Sequence, residues 1–155
     1  MATIDENLVA ALSGVMRSLT KPLARHIAAE GLTQAQFAVL EMLLHKGPRT
    51  VNELIDGLLS TSGNMGVVID NLLAAGLLEK KPNPADGRSR IVSLTAAGNE
   101  KIRAYYPRHR DELHRLMSGV ERPEKKDLVK SLIALRRCLD ENAYHLSRLG
   151  EFKQR

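Results

Sequence analysis

Apolar residues along this chain fall into short runs at helical spacing, and the first three runs each open on the same polar signal. Leu8, Leu12, Val15, Met16 and Leu19 recur at intervals of three and four, which places them on one face of a helix. Thr3 and Glu6 stand three apart at its start, the reciprocal capping box in which each side chain takes up the other residue's backbone N–H. Pro22 predicts a kink or a restart before Leu23, Ile27 and Ala28, and Gly31 ends the stretch. Thr33 with Gln36 opens a second helix carrying Phe37, Leu40, Leu43 and Leu44, closed by Gly47-Pro48. Thr50 with Glu53 opens a third, short one with Val51, Leu54, Ile55 and Leu58. After a break at Leu59-Ser60-Thr61 comes Ser62 to Ala75, with Met65, Val68, Ile69, Leu72 and Leu73 on one face and Gly76 as C-cap. Two short helices about three residues apart have helix-turn-helix spacing.

The period then changes. Leu77–Lys81 and Arg90–Leu94 are strand-like, and the Pro82–Gly87 tip between them is rich in Pro, Asn, Asp and Gly, which predicts a hairpin with a mobile polar end. A helix-turn-helix followed by a hairpin is the winged-helix order. Thr95 can cap a further helix with Ile102, Tyr105, Tyr106, Leu113 and Leu116, with Pro107 as a kink site. Pro123 suits the first turn of a last helix with Leu128, Leu132, Leu135, Cys138 and Leu139. No long Ser/Gly linker or internal repeat appears. The expected fold is mainly α with a small β-hairpin wing. A winged helix-turn-helix core over 31–98 is flanked by an N-terminal dimerisation region, 1–30, and C-terminal dimerisation helices, 99–155. The flanking helices carry more apolar surface than so small a core uses, and a two-fold homodimer is the simplest way to bury it.

Composition narrows the class. The 155 residues suit about one domain, and 43% hydrophobic residues are enough for a packed core. No apolar run approaches the roughly 18 residues needed to cross a bilayer. The start, Met1 to Glu6, is acidic and has no small-residue cleavage site, so no signal peptide is expected. The single cysteine, Cys138, excludes an intrachain disulfide and any four-Cys zinc site. A cytoplasmic protein with no membrane partner and no cofactor is expected. The net charge of +5 and a pI of about 9.6 suit a polyanionic partner. Charge does not locate the contact, because Lys101, Arg103, Lys125, Lys126, Arg136 and other cations crowd the C-terminal third.

Catalytic chemistry lacks its residues. There is no Gly-rich phosphate loop, no HExxH and no nucleophile elbow, and Ser62 has no base nearby in sequence. His109 and His114 are five apart and so do not share a helix face as a metal pair would. Neither an enzyme nor a metal site is expected.

Several stretches in the right order resemble the MarR (multiple antibiotic resistance regulator) family of transcriptional regulators. Gly31-Leu32-Thr33-Gln34-Ala35-Gln36-Phe37 is similar to that family's second helix, and Thr61-Ser62-Gly63-Asn64-Met65 with Val68-Ile69-Asp70-Asn71-Leu72 to its recognition helix. Asp86-Gly87-Arg88 leading into Val92-Ser93-Leu94-Thr95-Ala96-Ala97-Gly98 is similar to its wing. The specific part covers about residues 31–98. Gly87 stands where the family often has a second Arg, and Glu121 near its usual Ser or Thr cap. The resemblance implies a sequence-specific regulator of transcription, most often a repressor. It would bind a pseudo-palindromic operator in double-stranded DNA as a homodimer and be released by a small aromatic or phenolic effector.

The residues can be assigned roles on that basis. Ser60, Thr61, Ser62, Gly63 and Asn64 put small or hydrogen-bonding groups at the N-terminal end of the recognition helix, where they can approach bases. Asn64 can pair bidentately with adenine, and Val67 can meet a thymine methyl or be partly buried. Thr61 and Ser62 can also simply cap the helix. In the wing, Arg88 suits a narrow A·T-rich minor groove. Asp86 is expected to hold Arg88 by a charge-assisted hydrogen bond, and Lys81 and Arg90 are candidate phosphate contacts. A solvated hairpin with a surface ion pair is the plainer reading. Arg17, His26, Tyr105 and His109 are the candidate effector pocket implied by the resemblance, against ordinary core or surface packing. Cys138, beside Arg136 and Arg137, could serve a redox-responsive regulator, although its place in the apolar stripe predicts a buried small hydrophobe. A winged helix used only for protein contacts is the remaining alternative. It would favour an apolar recognition helix and an uncharged wing.

Overall fold

The computed structural model describes residues 2–58 and 62–152. Its elements run α1 (Ile4–Ala29), α2 (Gln34–Lys46), β1 (Arg49–Thr50), α3 (Val51–Leu58), α4 (Ser62–Ala74), β2 (Leu78–Asn83), β3 (Asp86–Leu94), α5 (Ala96–Leu116) and α6 (Arg122–Phe152). The chain divides into a unit of residues 1–115 and a second of residues 116–155.

Local chemistry sets the boundaries. Both halves of the capping box close at Thr3–Glu6, Thr33–Gln36 and Thr50–Glu53, with Glu6 Oε2 accepting the Thr3 N–H at 2.6 Å and Gln36 Oε1 the Thr33 N–H at 2.8 Å. Pro22 neither breaks nor restarts α1, which runs through it as one helix. At the end of α4 the Gly76 N–H donates to Leu73 O and the Leu77 N–H to Leu72 O, a Schellman closure that Gly76 permits by standing at φ +68°.

The hairpin is longer than its sequence pattern suggests, and it gains a third strand. The sheet order is β1-β3-β2, all antiparallel, with Arg49 opposite Val92 and Thr50 opposite Ile91. Leu78 pairs with Leu94 and Lys80 with Val92 down to Pro82 with Arg90. The next pair is Asn83 with Asp86, so Gly87, Arg88 and Ser89 are looped out of register as a wide bulge.

The core of the first unit lies between α2, α3, α4, the base of the sheet and α5. Leu40, Leu54, Ile69, Leu72, Val92 and Ile102 are fully buried in it, each worth about 1.5–3 kcal/mol relative to exposure. Helix α5 is pinned where the hairpin closes. The Thr95 hydroxyl donates to Gly76 O at 2.7 Å and accepts the Gly98 N–H at 3.0 Å, while the Thr95 N–H donates to Leu77 O. Lys101 Nζ donates to Glu30 O, Arg108 pairs with Glu30, and His26 with Glu112, which ties α5 to α1.

In the second unit, Glu121 offers no hydroxyl cap to α6. Glu124 reaches back to its N–H at 3.0 Å instead. Leu128, Val129, Leu132, Ile133 and Leu139 are exposed along α6, and Leu135 is half-buried. Cys138, expected to be buried, is exposed with them, because the apolar stripe it shares with Leu132 and Leu139 is itself exposed.

Candidate nucleic-acid interface

Recognition-helix residues stand where α4 begins. Gly63 and Asn64 are exposed in its first turn, and Val67, one turn on, is 61% exposed, so it is not a core residue. The opposite face of the same helix carries Met65, Val68, Ile69 and Leu72 into the core. That burial fixes α4 and leaves its polar edge outward. Ser62 is the first residue of the helix, whereas Ser60 and Thr61 lie outside the described residues.

The wing tip is organised by its own side chains. Asn83 Oδ1 accepts the Ala85 N–H at 3.0 Å, and its Nδ2 donates to Ser89 Oγ at 2.8 Å. Ser89 Oγ donates to Asp86 O at 3.1 Å. The Asp86 carboxylate does hydrogen-bond Arg88, and it does so at the main chain, accepting the Arg88 backbone N–H at 3.0 Å. Among the described residues no carboxylate pairs with the Arg88 guanidinium. Local geometry explains this, since a short Asp side chain two residues back reaches the N–H of an Asx turn more readily than the end of a long Arg.

Strand parity separates the two lysines. Lys80 shares its sheet face with Val92 and Arg90, whereas Lys81 lies on the other face with Glu79 and Ser93. There Lys81 Nζ donates to Glu79 Oε1 at 2.8 Å and Ser93 Oγ to the same oxygen at 3.0 Å, and these two bonds hold the Glu79 carboxyl below its ordinary range. Lys81 is thus engaged with a carboxylate. Arg90 and Arg88 line a groove of about 300 Å³ together with Lys80, Asp86, Ser89, Thr50 of β1 and, from the start of α3, Val51 and Asn52. Sequence reasoning missed Lys80 and Asn52. The alternation of the strand held the signal, but it becomes usable only once Leu78 and Val92 are known to face inward.

The candidate effector residues are partly gathered. Tyr105 and His109 are buried on α5 against Phe37, with ring centroids 5.5 Å and 4.4 Å from it. Among the described residues, the buried Tyr105 hydroxyl and His109 Nδ1 have no hydrogen-bond partner. Burial pushes the His109 imidazole down, with nearby His26 adding to it, and pushes the Tyr105 phenol up, with Glu30 and Glu112 adding to it. His26 is half-exposed beside Glu112 at 3.4 Å, and Arg17 is exposed on α1. A separate cavity of about 330 Å³ is lined by Leu44, His45, Arg103, Tyr106 and Pro107, where the His45 and Tyr106 rings meet at 4.7 Å. Among the described residues no group of His, Cys, Asp or Glu could hold a metal, and no helix is long and apolar enough to cross a membrane.

A helix pair joined to an antiparallel hairpin, with the second helix polar at its start and the hairpin bearing arginines, defines a winged helix-turn-helix protein. The MarR family profile matches residues 30–89. The helix-turn-helix-type regulator YkoM of Bacillus subtilis is 33% identical over 79% of this chain and 80% of its own length. MhqR of the same organism, also a helix-turn-helix-type transcriptional regulator, is 33% identical over 73% and 78%. In fold, the chain is similar to AbsC, a MarR family regulator from Streptomyces coelicolor, with TM-score 0.81 and 21% identity over 91% of this chain and 98% of that one. It is also similar to a mutant form of Escherichia coli MarR in complex with operator DNA, with TM-score 0.72 and 22% identity over 86% and 99%. The chain belongs to the MarR family, as a DNA-binding transcriptional regulator and not an enzyme.

Proposed function

We propose that this protein is a repressor that binds a pseudo-palindromic operator as a homodimer and leaves it when a small aromatic or phenolic effector binds. The winged helix-turn-helix over residues 31–98 reads DNA. Ser62, Gly63 and Asn64 at the start of α4, with Ser60 and Thr61 preceding them in sequence and Val67 following, meet bases in the major groove, and Arg88 enters the flanking minor groove from a wing shaped by Asp86. Arg90 contacts the backbone. The carrying observation is that one compact unit presents Gly63, Asn64 and Arg88 outward, on two elements that share a core.

One such module reads only a few base pairs. The exposed apolar residues of α1 (Ile4, Leu8, Val9, Val15, Met16) and of α6 support their burial by a second copy. Two recognition helices would then address half-sites roughly 34–36 Å apart. The work of the protein would be in the cytoplasm, where the chromosome lies. The unpartnered Tyr105 hydroxyl and His109 Nδ1 support an effector site between α1, α2 and α5, because buried polar atoms ordinarily find a partner. Arg17 would have to join that site from its exposed position on α1.

Selection of bound sites from random duplexes by the purified protein tests this reading. The expected result is a symmetric site whose binding weakens steeply with salt and is reversed by a phenolic compound. Asn64→Ala should relax base preference inside the half-site, and Arg88→Ala should lower affinity at flanking A·T positions. Absence of any enriched sequence would overturn it.

A further inference from the structure

We infer that the groove between the start of α3 and the wing seats one backbone phosphate of bound DNA, held by Lys80 and Arg90. This rests on the DNA-binding reading above and adds a contact to it.

The sequence points to Lys81, but the fold exchanges it for its neighbour. In β2 and β3 the pairs Leu78–Leu94, Lys80–Val92 and Pro82–Arg90 share one face of the hairpin. At its base that face is core, with Leu78 and Val92 buried. The core ends after Val92, yet the strands continue. The same face therefore carries Lys80 and Arg90 out over α3, where they line the groove with Arg88. Two independent features make this an anion site. Three cations meet a single carboxylate there, and that carboxylate, Asp86, is already accepting the Arg88 N–H. One neutral donor joins the wall, the Asn52 amide, whose kind of side chain binds phosphate oxygens; the Thr50 and Ser89 hydroxyls beside it already donate to Glu53 and to Asp86 O. The neighbouring Glu53 does not line the groove, and its carboxylate is occupied by Thr50, accepting both its N–H, at 2.7 Å, and its hydroxyl, at 2.8 Å.

Duplex geometry supplies the occupant. A phosphate backbone is the ridge between a major and a minor groove, so a strand with α4 on one side and the wing on the other must cross the surface between them. The groove lies between the wing and the start of α3, the helix that packs against α4. A phosphodiester there would meet ammonium and guanidinium donors at charge-assisted strength.

The test uses the full chain, one duplex selected by the protein and one random duplex of equal length, titrated from low to moderate salt. Lys80→Ala and Arg90→Ala should each weaken binding about ten-fold and by the same factor on both duplexes. The double variant Lys80→Ala, Arg90→Ala should reduce the slope of log K against log salt by roughly 0.9, the share of one phosphate, and each single variant by part of that. Lys80→Arg should restore most of the loss. Lys46→Ala, which removes the same charge at the end of α2, should leave the slope unchanged. An unchanged slope in Lys80→Ala, or an equal or larger effect from Lys81→Ala, overturns the assignment while leaving the DNA-binding reading intact. Wild-type protein that binds neither duplex overturns both. Melting temperatures equal to wild type show that the variants fold.

Discussion

The Asp86 carboxylate accepts the backbone N–H of Arg88 at 3.0 Å and so shapes the turn from which the guanidinium projects. An acceptor for an N–H does not need a charge. Asp86→Asn retains an amide oxygen in the same place and should keep DNA affinity within about two-fold, whereas Asp86→Ala should lose three- to ten-fold, the net worth of one hydrogen bond of about 0.5–1.5 kcal/mol. Titration of both variants against a selected duplex checks this. If Asn failed as badly as Ala, a charge clamp on the guanidinium would be the better account.

Leu132 and Leu139 are 46% and 56% exposed on α6. The double variant Leu132→Glu, Leu139→Glu should be monomeric by sedimentation and keep its helical circular dichroism. It should lose operator binding although neither residue is proposed to touch DNA. A monomer with undiminished affinity would contradict the dimeric mechanism.

Gly98 lies against Leu77, where a Cβ would stand 2.0 Å from the Leu77 carbonyl oxygen. That neighbour is backbone, and it is already bonded to the Thr95 N–H, so it cannot step aside cheaply. Gly98→Ala should cost about 3 kcal/mol and lower the melting temperature by roughly 6–12 °C. An unaltered thermal transition would show that the hairpin base is looser than this contact implies.

His109 is 6% exposed, and burial holds its imidazole below the ordinary value near 6.5. The folded state therefore resists protonation that the unfolded chain accepts. Stability is complete above about pH 6.5 and falls as the pH drops from there through the depressed folded value, by about 1.4 kcal/mol for each unit of depression. His109→Leu should flatten that acid limb of the melting-temperature profile. A profile parallel to wild type would place the acid sensitivity elsewhere.

The helix starts were legible in the sequence because capping is local: Thr3, Thr33 and Thr50 each find their partner three residues on, whatever the rest of the chain does. The helix-turn-helix, the hairpin and the Arg-bearing tip were legible for the same reason. Strand β1 was not, because two residues carry no period and Arg49–Thr50 is a strand only through its pairing with Val92 and Ile91. Nor could sequence show that Asp86 would take a main-chain N–H.

The linear order of residues thus determined which segments are helix or strand and which carry chemistry, since periodicity and capping act over a few residues. Tertiary structure decided which of two adjacent lysines faces the groove, that Tyr105 and His109 close on Phe37, and that Cys138 stays outside. Each of these depends on which face of an element meets the core, and contacts distant in sequence choose that face.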